Sequence, residues 1–299
     1  KCIHIGKGTC IGAGTLIDAD LVYLGDGVSI GKNTEIVTGE LIVADGATVG
    51  NEVLVDLAGG RSSESRLLLG PASLVGGRAH INTSREVILE AESALSPGAM
   101  IFTHSFWQSA LDGYPCRFEG VRLAYRAWVG AGCQVLPGVI VGPGAVAVSN
   151  SSLVENIPPY VMVSGVPATV IRSNLGQRSN PTRQRSELMV RLTEFWKILK
   201  ERGCSVSLSE TGALITLPDK TEHNILVLGH DEEEAIVPVN SIILSFGPQP
   251  VEAFSILDLA NNVAIGNEDR LVHSLRNFLR RLGVRLQPFS WRPDYRKEV

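Results

Sequence analysis

The 299-residue chain contains no run of ~18 uncharged apolar residues, and no leader pattern precedes the Gly-rich repeat at its start, so neither a membrane span nor a signal peptide is expected. A cytoplasmic location is the expectation. Charge of one sign is also missing: 27 Lys and Arg stand against 31 Asp and Glu with no basic stretch, which argues against a nucleic-acid binder. Cysteine is scarce and odd in number. Cys2, Cys10, Cys116, Cys133 and Cys204 show no C-x-x-C spacing, so they read as small thiols rather than a disulfide framework or a structural zinc site. Glycine is plentiful, with 31 residues, and 44% of side chains are apolar, enough for a sizeable core in one large domain or two unequal ones.

An aliphatic residue recurs at every sixth position. Ile5-Gly6-Lys7-Gly8-Thr9-Cys10 is followed by hexads starting at Ile11 and Ile17, and after a slip by hexads at Leu24 and Ile30. Positions Val43, Val49, Val55, Leu69, Val75, Leu89, Leu95, Ile101, Val129, Val135, Val141 and Ala147 continue it. Such a period fits neither an α-helix nor plain strand alternation. It fits a prism of three short strands per coil, ~18 residues a turn, with aliphatic residues inside and Gly or Asn where the chain turns with positive φ. Parallel coils then stack at ~4.7 to 4.9 Å.

The repeat is interrupted after Ile101-Phe102-Thr103-His104, where residues 105–120 carry no hexad spacing. Long excursions from a compact fold commonly serve function. A second block closes the repeat: Ala127-Trp128-Val129-Gly130-Ala131-Gly132, Val135-Leu136-Pro137-Gly138-Val139, Asn156-Ile157-Pro158-Pro159-Tyr160 and Gly165-Val166-Pro167-Ala168-Thr169-Val170-Ile171.

With these blocks the chain resembles the hexapeptide-repeat acyltransferases, and over about residues 69–172 their sugar and xenobiotic O-acetyltransferase subgroup. The resemblance implies a mainly β fold, a left-handed parallel β-helix, although parallel crossovers are usually right-handed. It implies a homotrimer with active sites between neighbouring prisms. Transfer would be from acetyl-CoA to a hydroxyl of a sugar or polysaccharide precursor, by direct attack with no acyl-enzyme; transfer to an amino sugar, or a non-catalytic scaffold, are the alternatives. The family's catalytic base falls on His104, and an imidazole with an unperturbed pKa near ~6.5 suits that role. A histidine anchoring its own loop is the competing reading, and His80, one coil earlier, reads as solvent-facing or inter-subunit.

For the cofactor, the resemblance points to exposed backbone at Ala131 and Ser149, to Trp128, to Pro167 and Ala168, and to Arg172 for a phosphate, or else as a solvated charge. Ala147-Val148-Ser149-Asn150-Ser151 and Glu155 depart from the usual Ile-Gly-Ala-Gly-Ser and Lys, which weakens the phosphate contact. For the acceptor, Asn82 falls where relatives place an asparagine on a sugar hydroxyl. Trp107, Asp112 and Tyr114 on the excursion have the chemistry of a carbohydrate site or of plain loop packing, and Glu90 or Glu92 could orient His104. No metal is expected, since His104 has no second histidine in the hundred residues after it. A nucleotidyltransferase is disfavoured, because no α/β domain with a Gly-rich phosphate loop is seen ahead of the repeat.

After Ile171 the texture changes. Residues 1–172 are read as the β-helix, 173–185 as a polar linker, and 186–299 as a small α/β domain of unrecognised family. Leu188, Leu192, Phe195 and Leu199 recur at helical spacing, as do Leu271, Leu275, Phe278 and Leu282, with strands expected at 213–217, 224–228, 241–246, 254–259 and 284–288. Residues 231–234 read as a solvated acidic turn, and the domain could cap the trimer or hold a large acceptor.

Overall fold

A computed structural model describes residues 2–176, 180–228, 240–246, 253, 255–259, 263–266, 270–282, 284 and 286–288. The chain forms two compact units, one over Lys1–Gln177 and one over Arg178–Asp294.

The first unit is a parallel β-helix with faces of seven, nine and seven strands. The first face begins with Cys2–Ile5 and Leu21–Leu24, the second with Cys10–Ile11 and Ser29–Ile30, and the third with Leu16–Asp18 and Glu35–Val37. Each strand pairs in parallel with its counterpart one coil on. The early coils are longer than the expected turn: Cys2 pairs with Leu21 and Leu21 with Glu40, steps of 19 residues, because the corner from third to first face takes an extra residue. The step shortens to the expected 18 only late, as between Trp128 and Val146.

The hexad residues fill the prism. Leu24, Val43, Leu69, Leu89, Leu123 and Val141 are fully buried in one continuous core with Val75, Leu95, Ile101, Val129, Val135 and Ala147. Burial stabilises each of the larger ones by roughly 1.5–3 kcal/mol. The glycines divide into two kinds. Positive φ falls on the fourth hexad position, where Gly8, Gly27 and Gly46 alternate with Asn33, Glu52 and Arg78. The second-position glycines are there for close approach: a Cβ on Gly31 would lie 2.4 Å from the carbonyl carbon of Gly50, and one on Gly76 2.3 Å from the backbone nitrogen of Pro97.

Two excursions leave the same corner, between the third and first faces. One occupies residues 57–65, between Leu54–Asp56 and Arg66–Leu69; the other follows Met100–Ile101 and returns at Val121–Leu123. The second is closed at its base by antiparallel pairing of His104 with Phe118 and of Ser105 with Arg117, and it contains a 3₁₀ turn over Ala110–Asp112. The β-helix ends in a hairpin of Met162–Gly165 with Ala168–Arg172.

The second unit is a seven-stranded mixed sheet with two helices, α1 (Pro181–Glu201) and α2 (Arg270–Arg281). Helix α1 starts inside the stretch expected as linker. Asn180 caps it by accepting from the backbone N–H of Arg183, and Pro181 takes the first turn, where its missing N–H costs nothing. Its buried Leu188, Leu192, Phe195 and Leu199 join Leu271, Leu275 and Phe278 of α2 in a core that shares no residue with the first. Strands Ser205–Ser209 and Val263–Gly266 were not anticipated, whereas residues 231–234 lie outside the described residues.

Candidate active site

His104 is the last residue before the second excursion breaks away, and the structure surrounds it with side chains from three successive coils. Its Nδ1 lies 2.9 Å from Oδ1 of Asn82. Asn82 is paired in register with Asp56 of the coil below, and its Nδ2 donates to Oδ1 of Asp56 at 2.9 Å. The same Asn82 Oδ1 accepts from the Thr103 hydroxyl at 2.8 Å and from the Ser84 backbone N–H at 3.1 Å. The amide orientation is therefore fixed: a backbone N–H must meet oxygen, and a carboxylate must meet the NH₂ group. With oxygen facing it, His104 Nδ1 has to carry a proton, which leaves the lone pair of the neutral ring on Nε2.

On its other oxygen Asp56 meets a second histidine, with His80 Nε2 at 2.9 Å from Oδ2. That bond holds the Asp56 carboxyl below its ordinary value, aided by the Asn82 amide and opposed by burial. The same bond raises His80, again against burial. His80 was read as solvent-facing or inter-subunit; it is half-buried, paired to Asp56 and edge-on to Phe102 at 5.8 Å.

The ring of His104 is flanked by Phe106 at 5.5 Å and Phe118 at 6.0 Å, both from the excursion. Arg85 joins the two excursions, its guanidinium over the Phe118 ring at 5.0 Å and its Nε 2.8 Å from Glu64 in the first. None of Asp56, Thr103, Arg85, Phe106 or Phe118 was singled out from sequence. Asp56 could have been found by counting the 57–65 excursion out of the repeat, which sets it directly under Asn82.

Two expectations about side chains are corrected, for Asn82 and for the pair Glu90 and Glu92. Asn82 does not face solvent for a sugar hydroxyl: it is 3% exposed and its amide is engaged by Asp56, Thr103, Ser84 and His104. Glu90 and Glu92 do not orient His104, because Glu90 pairs with Arg122 and Glu92 with Arg126. Trp107, Asp112 and Tyr114 are exposed on the excursion, Trp107 at 90%, and the aromatic contacts to His104 come from Phe106 and Phe118 instead.

The residues expected at the cofactor occupy another corner, between the second and third faces. Trp128 is half-exposed and its indole N–H donates to Ser96 Oγ at 2.8 Å. Ala131 and Ser149 occupy the same place on consecutive coils. At the equivalent place in an early coil the Lys32 N–H is capped by Asn51 Oδ1 at 2.8 Å, whereas among the described residues the Ala131 and Ser149 N–H groups have no partner. Two unspent donors in line suit a ligand carrying amide carbonyls, as the pantetheine arm of coenzyme A does. Pro167 turns the terminal hairpin, Ala168 packs on the β-helix core, and Arg172 is exposed at the hairpin's end. No cluster of three or more His, Cys, Asp or Glu side chains suited to a metal occurs among the described residues, nor any helix long and apolar enough to cross a membrane.

No family model matches the chain. Among curated relatives it is 28% identical over 110 residues to WcaF of Escherichia coli, named as a colanic acid biosynthesis acetyltransferase; the match takes 37% of this chain and 60% of WcaF. It is 32% identical over 66 residues to a chloramphenicol acetyltransferase of Morganella morganii, taking 22% of this chain and 31% of that protein. The chain thus spans less than two thirds of the length of these relatives. Among solved structures, the polysialic acid O-acetyltransferase OatWY aligns at 17% identity over 60% of this chain and 92% of its own, with a TM-score of 0.43. By its hexad repeat, its closing blocks and these sequence relatives, the chain is similar to the hexapeptide-repeat acetyltransferases.

Proposed function

We propose that this protein transfers an acetyl group from acetyl-CoA to a hydroxyl of a sugar or polysaccharide precursor, with His104 as general base. The observation that carries this reading is the Nδ1 bond of His104 to Asn82, which leaves Nε2 unprotonated at the root of an exposed, aromatic-bearing excursion. A hydroxyl is a poor nucleophile near neutrality. Nε2 takes its proton as the oxygen attacks the thioester carbonyl carbon, and the carbon–sulfur bond then breaks. The proton passes from the imidazolium to the departing thiolate, so the ring ends as it began. Acetyl-CoA supplies the activated acyl group, and the unspent N–H groups of Ala131 and Ser149, with Trp128, Pro167 and Ala168 beyond them, would hold its pantetheine arm. Arg172, without an ion pair among the described residues, is suited to a phosphate.

His104 and the Ala131–Ser149 corner lie at opposite edges of the third face, so a homotrimer, in which one chain's His104 meets a neighbour's groove, completes the site. Trp107, Asp112 and Tyr114 then offer aromatic faces and a carboxylate to the acceptor. Thiol release from acetyl-CoA with a panel of sugars and amino sugars tests the reading. His104→Ala is expected to lower kcat by ~10² to 10⁴ while the protein stays folded. An unchanged kcat refutes the base.

A further inference from the structure

The imidazole of His104 ends a chain of four polar side chains that begins at another histidine. His80 Nε2 meets Asp56 Oδ2, Asp56 Oδ1 accepts from Asn82 Nδ2, and Asn82 Oδ1 faces His104 Nδ1, each step at 2.9 Å. These residues come from strand Leu54–Asp56, strand His80–Asn82 and the start of the excursion, so the chain climbs one corner of the prism across three coils. We infer that Asp56 and His80 are positioning residues for acetyl transfer, acting through Asn82 to keep His104 in the tautomer with its lone pair on Nε2. The inference rests on the reading of His104 as the base.

The argument turns on what fixes the Asn82 amide. Two contacts choose its orientation, the Ser84 N–H on Oδ1 and the Asp56 carboxylate on Nδ2. The Thr103 hydroxyl can donate or accept and so chooses nothing. A carboxylate can only accept while ionised. Once Asp56 is replaced by a group able to donate, an amide turned the other way gains a partner there, and its NH₂ group then faces His104. That arrangement demands an unprotonated Nδ1 and moves the proton to Nε2, where it blocks attack. His80 completes the arrangement by donating to the far oxygen of Asp56, which favours the ionised carboxylate. A carboxylate that sets the tautomer of a catalytic imidazole by direct contact is a known device of acyl transfer. Here an amide stands between them.

The test uses the full chain with ¹⁵N-labelled histidine, the His104 signals being assigned by their loss in His104→Ala. In the wild type the ring shifts are expected to report one neutral tautomer, protonated at Nδ1. In Asp56→Asn a mixture is expected, with kcat lowered about tenfold or more and KM for acetyl-CoA unchanged. His80→Ala is expected to act in the same direction, and His80→Gln, which keeps an N–H for Asp56, to recover most of the loss. Should Asp56→Asn fail to fold, the half-exposed His80 pair of variants carries the test alone. Mixed tautomers in the wild type, or an unchanged tautomer and a kcat within twofold in the variants, overturns the inference. Full activity in His104→Ala overturns the base assignment instead, and the ring shifts decide the tautomer question without reference to turnover.

Discussion

Asp56 and His80 stabilise one another most while both are charged, and the direction of each shift fixes the pH window. Folding lowers the Asp56 carboxyl, chiefly through the bond from His80, so its contribution is complete above the unfolded value near ~3.9 and is lost as the pH falls through the folded value. Folding raises His80 through the same bond. Its contribution is complete below the unfolded value near ~6.5 and disappears as the pH rises through the higher folded value. The side chains are 31% and 40% exposed, so solvent limits the pair to about 1 kcal/mol. The Tm gap between wild type and His80→Gln should therefore be a few degrees at about pH 5 and close by about pH 9. A gap that widens on the alkaline side contradicts the pairing. Asn82 is a heavier loss. Asn82→Ala strips partners from a carboxylate, a hydroxyl, a backbone N–H and the His104 ring, and should lower stability by ~1–3 kcal/mol by urea unfolding.

Along the coils, the two kinds of glycine respond differently to a methyl group. Gly46 has φ +65° with nothing within 4 Å of an added Cβ, so Gly46→Ala meets only the left-handed backbone penalty of ~1–2 kcal/mol. A Cβ on Gly76 would lie 2.3 Å from the backbone of the next coil, so Gly76→Ala must push the coils apart. Its urea midpoint should fall further than that of Gly46→Ala, and the reverse order would mean the coils are not in tight register here. The period of six made the prism legible, because each aliphatic residue repeats one buried environment. It did not separate these two glycines, since composition records neither φ nor the nearness of the next coil. The site was legible where a residue sat at an obvious break, as His104 does. Asp56 stayed hidden because the 57–65 excursion displaces it from its place under Asn82, and hydrogen bonds between coils join residues 22 to 26 positions apart. In the second unit the helix start was misplaced because Pro181, read as a loop residue, is equally at home in a first helical turn.

For the whole molecule, the decisive feature is that His104 and the uncapped amides of Ala131 and Ser149 occupy different corners of one prism. At ~3.3 Å per residue a face is roughly 15–20 Å wide, whereas a general base must come within ~3.2 Å of the proton it takes. The proposed trimer, in which each junction joins one chain's histidine corner to a neighbour's amide corner, would resolve the mismatch and give three equivalent sites. This arrangement can be tested by complementation. His104→Ala removes the proposed base, and Ser149→Trp should obstruct the proposed groove at an exposed position without touching the core. Each variant alone is expected to be nearly inactive. Co-expressed with different tags and isolated as mixed trimers, they should recover activity, because every mixed trimer has one junction of its three that pairs an intact histidine with an intact groove. If histidine and groove from the same chain made the site, every chain in the mixture would carry one defect and no activity would return. A single sedimenting species of monomer mass would remove the shared site altogether.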